Sequence, residues 1–81
     1  MEELRNKIDE IDKKIVRLFN ERMEIAKQIA LEKEARGLPI ENIEREKDVL
    51  AKVAVLADQK IYCEELYKTI LEVSKEYQKE I

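Results

Sequence analysis

Histidine and tryptophan are absent from this 81-residue chain, and cysteine, glycine, proline and phenylalanine each occur once. With no histidine and with Cys63 as the only thiol, the usual zinc and iron ligand sets cannot be assembled, an internal disulfide is ruled out, and no cofactor is expected. No apolar run approaches the ~20 residues that cross a bilayer. The opening Met1-Glu2-Glu3-Leu4 lacks the charged-then-apolar layout of a signal peptide. The expectation is a cytoplasmic protein with no membrane partner. An excess of one charge sign is missing too: 16 basic and 19 acidic residues are interspersed and leave a net charge of −3. Without a basic footprint, nucleic acid is not an expected partner. A chain this short makes one domain and buries little surface alone. With disulfides and metals excluded, oligomerisation is the remaining supplement to its core.

What is abundant is charge, at 43% of residues, mixed with alanine, leucine and isoleucine in helical rather than alternating order. Nothing alternates with period two, so an all-α fold is expected. The only strong breakers lie together in Arg36-Gly37-Leu38-Pro39, with Gly37 placed to end a helix in the left-handed region. Helix 1 is predicted over about 2–36. Within it Leu4, Ile8, Ile11, Ile15, Leu18, Arg22, Ile25 and Ile29 recur in steps of four and three, the period of a coiled-coil seam. Asn42 can cap a second helix over about 43–57, with Val49, Leu50, Val53 and Leu56 on its apolar face. Asp58-Gln59-Lys60 forms a turn, and Cys63, Leu66, Ile70, Val73 and Tyr77 mark a third helix over about 61–80. At 1.5 Å per residue, helix 1 is ~50 Å long against a diameter of ~30 Å for a compact monomer of this size. It must overhang its own globule, and a second copy related by two-fold symmetry should cover the exposed seam.

Several polar residues occupy core-facing phases. Arg22 replaces an apolar residue in the seam, and Lys33, three turns further on, points into the same groove about 16 Å away. Glu46 falls in the apolar phase of helix 2, and Ser74 and Gln78 flank the stripe of helix 3. Each has an ordinary explanation: register control for Arg22, solvation for Lys33, helix-end electrostatics for Glu46, boundary placement for the other two. Together they are two cations, a carboxylate, a hydroxyl and an amide on three helices, and buried polar groups need partners. A polar ligand held within the bundle supplies them. With no histidine base and no activated nucleophile, the inventory suits electrostatic stabilisation of an anion.

The ordered set Leu4-Arg5-Asn6-Lys7-Ile8-Asp9, Ile11-Asp12, Glu21-Arg22, Ala26, Lys33, Pro39-Ile40, Ile43-Glu44-Arg45-Glu46-Lys47, Ser74 and Gln78 closely resembles the all-helical chorismate mutases. These occur as free-standing enzymes and as domains fused to prephenate-processing enzymes. The resemblance spans nearly the whole chain. It implies a three-helix, intertwined, domain-swapped homodimer that rearranges chorismate to prephenate on the route to phenylalanine and tyrosine. It further implies that Arg22, and Arg5 from the other subunit, grip the two substrate carboxylates. Lys33 and Gln78 would donate to the ether oxygen, Glu46 would hold the ring hydroxyl, and Asn42, Arg45 and Ser74 would support the substrate. Two features depart from the family pattern. Asn42 stands where many relatives carry aspartate, and the connection between helices 2 and 3 is about four residues shorter than in some members. An isochorismate-pyruvate lyase of the same fold and a non-catalytic helical dimerisation module are the competing readings.

Overall fold

The structure, a computed structural model, describes residues 1–81. It contains three helices and no strand: α1 (Glu2–Arg36), α2 (Ile43–Leu56) and α3 (Lys60–Glu80). Each boundary has a local cause. Glu2 and Glu3 stand in the first turn of α1 and Lys33 and Arg36 in its last, both favourable to the helix dipole. Gly37 then takes φ 68° and ψ 28°; its N–H donates to Glu34 O and that of Leu38 to Lys33 O, the paired bonds of a Schellman stop. Asn42 caps α2, its Oδ1 accepting from the Arg45 N–H at 3.0 Å, a contact worth about 1 kcal/mol. Ala57 leaves helical geometry, so α2 ends one residue before the expected limit, and α3 starts at Lys60 rather than Ile61.

α3 packs against both α1 and α2, whereas α1 and α2 make no close backbone approach to each other. The space left between them is a groove floored by α3. Only Ala26, Ala30 and Ser74 are buried. The two alanines are one turn apart on α1, and their small side chains let α3 come close; Ser74 is the most buried residue of α3, at 6% exposure. This corrects the expected faces in part: Val49, Leu50 and Val53 of α2 and Cys63, Ile70 and Tyr77 of α3 are half-buried as expected. Leu66 and Val73 of the α3 stripe are exposed, as is Leu56 of α2, while Ser74, expected at the edge of the stripe, faces the contact with α1.

The seam of α1 is bare. Every residue from Met1 to Leu18 is exposed, including Leu4, Ile8, Ile11, Ile15 and Leu18. The molecule measures 52 × 24 × 15 Å, its long axis set by α1. Its accessible surface is 6820 Å², roughly 1,700 Å² more than a compact 9.6 kDa protein shows. The radius of gyration, 15.2 Å, likewise exceeds the ~12 Å of a compact chain of this length.

Candidate active site

The groove between the helices encloses about 260 Å³, near the lower end of ordinary small-ligand sites, roughly 300 Å³ upward. Arg22 and Lys33 line it from α1, Asn42 from the connecting loop, Arg45 and Glu46 from α2, and Ser74, Lys75 and Gln78 from α3. Apolar side chains, among them Ile25, Ile29 and Val49, fill the spaces between. Seven of the eight residues singled out in the sequence therefore converge. The eighth, Arg5, is seventeen residues before Arg22 on the same helix, ~25 Å away along its axis. Its guanidinium is exposed and meets only Glu2, at 3.5 Å. Ile25 and Ile29 are 57% and 46% exposed although they line the groove, so the groove lacks a wall on the side of the bare seam.

Each polar side chain is held by one contact and keeps others free. Arg22 Nη1 donates to Ser74 Oγ at 3.0 Å, and the Ser74 hydroxyl in turn donates to Met23 Sδ at 3.8 Å. With its hydrogen turned to the sulfur, the hydroxyl presents a lone pair to Arg22, which retains four further N–H donors. Lys33 Nζ donates to Ile40 O at 2.7 Å. That carbonyl is placed by the Gly37 stop and the Pro39 turn, and it leaves the ammonium two donors. Gln78 Nε2 donates to Ala26 O at 2.9 Å and keeps a second N–H. Arg45 pairs with Asp48 at 2.8 Å on the solvent side of α2.

Lys75 was not anticipated. Its ammonium meets Glu41 Oε2 at 3.1 Å, Glu46 Oε1 at 3.3 Å and Glu72 Oε1 at 3.4 Å. Nothing in the linear pattern marks it: a lysine beside Ser74 on a charged helix reads as solvated, and its partners Glu41 and Glu46 are 34 and 29 residues away. The Glu41 contact foremost, then Glu46 and Glu72, raises its pKa above the ordinary lysine value against the opposing effect of burial. Its charge therefore persists through neutral pH. The stability tied to that charge is present below the ordinary lysine pKa and is lost only as pH climbs through the raised one. Asp48 is shifted the other way, chiefly by its hydrogen bond to Lys52 and further by Arg45. Its contribution is present above the ordinary carboxylate range and is lost as pH falls through the lowered value.

The groove thus gathers four cations, Arg22, Lys33, Arg45 and Lys75, against one carboxylate, Glu46, in a chain whose net charge is −3. Glu46 Oε2 is buried with no partner, an acceptor waiting for a donor. Fold and site together define a small three-helix protein with a cation-rich groove that holds one unpartnered carboxylate oxygen.

Comparison with known proteins narrows the class. Residues 4–79 match the family described as chorismate mutase type II. A chorismate mutase of Methanocaldococcus jannaschii is 37% identical over 96% of this chain and 83% of the relative. A bifunctional chorismate mutase/prephenate dehydratase of Aquifex aeolicus is 45% identical over 65% of this chain and 15% of its own length. One of Buchnera aphidicola is 37% identical over 95% of this chain and 21% of its own length. No solved structure matches. The chain belongs to the type II chorismate mutase family.

Proposed function

We propose that the groove is where this chain, as a chorismate mutase, rearranges chorismate to prephenate, on the route to phenylalanine and tyrosine. The observation that carries the reading is the convergence of Arg22, Lys33, Gln78 and Glu46 from three helices, each anchored on one side with hydrogen-bonding capacity to spare.

A one-substrate pericyclic rearrangement needs no acid, base or nucleophile. It needs the enolpyruvyl arm folded over the ring, and charge stabilisation where the breaking C–O bond leaves negative character on the ether oxygen. Arg22 grips one carboxylate, where a planar guanidinium matches two oxygens better than an ammonium does. Lys33 and Gln78 stand 45 residues apart in sequence yet line one groove. Their free N–H donors meet the ether oxygen without reorganising, because Ile40 O and Ala26 O already fix them. Glu46 Oε2 accepts from the ring hydroxyl, and Asn42, Arg45 and Ser74 support substrate and neighbouring charges.

The missing wall belongs, in this reading, to a second copy. Antiparallel pairing of two α1 seams covers the exposed isoleucines and carries Arg5 of the partner subunit into the groove to grip the second carboxylate. The surplus surface is of the right size: about 1,700 Å² per chain, doubled, falls within the 2,000–5,000 Å² of obligate homodimers. The working compartment is the cytoplasm, in keeping with a chain that carries a free thiol, Cys63, and no disulfide.

The test is to incubate the protein with chorismate and, separately, with isochorismate, following each by ultraviolet absorbance. Loss of chorismate with formation of prephenate is expected. Loss of isochorismate alone, with release of pyruvate, would reassign the groove to a lyase. Inertness to both would leave a dimerisation module.

A further inference from the structure

We propose that Lys75 is a positioning residue for Glu46: it holds one carboxylate oxygen and so keeps the other turned into the groove for a ligand hydroxyl. The proposal rests on the chorismate reading of the groove and deepens it by naming what keeps the hydroxyl-binding carboxylate ready.

An ammonium has three donors and no acceptor. Those of Lys33 are only partly used, one going to Ile40 O. The Lys75 ammonium instead faces three carboxylates from three elements, Glu41 of the loop, Glu46 of α2 and Glu72 of α3. Two of its donors go to Glu41 and Glu46, and Glu72 stands at ion-pair distance, so Lys75 acts through its partners rather than on substrate. Its side chain is 15% exposed, although lysines ordinarily carry their charge into water. Glu46, 22% exposed, is the carboxylate among the groove's charged residues. Lys75 takes its Oε1, and Oε2 is the one buried side-chain oxygen in the molecule without a partner. A half-satisfied buried carboxylate costs stability until a donor arrives, which is the state of a site awaiting a hydroxyl.

Charges face Glu46 from every side: Glu41 from the loop, Lys75 and Glu72 from α3, Arg45 beside it on α2, and Lys33 and Arg22 across the groove on α1. Lys75 is the cation in direct contact. Removing it leaves Glu46 and Glu41 as neighbouring carboxylates without their common countercharge, so they repel each other and the free oxygen of Glu46 is no longer held in place.

The experiment measures kcat and KM for chorismate between pH 5 and pH 8 in the wild type, Lys75→Met, Lys75→Arg, Glu46→Gln and the double variant Glu46→Gln/Lys75→Met. Lys68→Met serves as a control, since Lys68 makes only an exposed pair with Glu64. In Lys75→Met kcat/KM should be lower than in the wild type by about tenfold across this range, as expected for loss of one positioned hydrogen bond to a charged group. The loss should fall mainly on KM, because the hydroxyl contact exists in ground and transition states alike. Lys75→Arg should restore the wild-type values and Lys68→Met should keep them. In the Glu46→Gln background, Lys75→Met should add less than about twofold, since a residue acting through another loses its effect when that other is gone. Lys75→Gln, which keeps donors but not charge, carries the same comparison if circular dichroism shows Lys75→Met unfolded. A wild-type KM in the charge-removed variant would overturn the proposal, as would an undiminished penalty in the Glu46→Gln background. Failure of the wild type itself to consume chorismate would overturn the groove reading and this proposal with it. Turnover by the wild type with an unchanged KM in Lys75→Met overturns this proposal alone.

Discussion

Arg5 and Arg22 test the architecture and the chemistry at once. They stand ~25 Å apart along one straight helix, further than a single chorismate reaches. If both grip one substrate, Arg5 must come from the second subunit. Neither contributes much to the fold of its own chain: Arg5 has an exposed pair with Glu2 at 3.5 Å, worth at most about 1 kcal/mol, and Arg22 has one hydrogen bond to Ser74, worth a similar amount. Each is asked for two charge-assisted hydrogen bonds to a carboxylate, together about 3–5 kcal/mol, so Arg5→Ala and Arg22→Ala should each lose about a hundred- to several thousandfold in kcat/KM as homodimers. Mixing changes the outcome. In a mixed dimer one groove carries both substitutions and the other carries neither. Unfolding and refolding an equal mixture gives about half mixed dimers, each with one intact groove of two, so roughly a quarter of wild-type activity should return under random two-fold assembly. The assay is loss of chorismate absorbance on a sample whose dimers are verified by size-exclusion chromatography. If dimers have re-formed with exchanged subunits and no activity appears, the shared groove is wrong and Arg5 is a solvated surface residue.

Lys33→Ala should lower kcat about a hundredfold, the worth of a donor aimed at developing charge. The unfolding midpoint in urea should move by no more than the ~1 kcal/mol of its bond to Ile40; an unchanged rate would remove Lys33 from the site. Gln78→Glu should turn a nearly pH-independent reaction into an acid-requiring one, because only the protonated carboxyl can donate to the ether oxygen while the ionised form repels it. Equal rates at pH 5 and pH 8 would place residue 78 elsewhere. Gly37→Ala should destabilise by about 1–2 kcal/mol through the left-handed backbone alone, since the added Cβ meets nothing within 4 Å. A neutral result in thermal unfolding would contradict the φ of 68° at that position.

The linear sequence by itself determined the helices and their stops. A helix is closed by bonds four residues apart, so its limits follow from neighbours: Gly37 for the left-handed stop, Asn42 for the cap, and dominant helix formers between them. It also determined that the chain has a seam to cover, because the period of Leu4 to Ile29 and the length of α1 are local quantities. What faces what was decided only by tertiary structure. Successive residues of a helix differ by 100° in direction, so the rotational setting of α3 put Ser74 at the centre of the contact, kept Cys63, Ile70 and Tyr77 half-buried and left the Leu66 and Val73 edge exposed. The same setting made Lys75, one step beyond Ser74, the hub of three carboxylates drawn from two other segments and its own helix. The fixing bonds of Lys33 to Ile40 O and of Gln78 to Ala26 O likewise depend on where a turn and a helix axis lie in space, quantities that no single segment of sequence encodes.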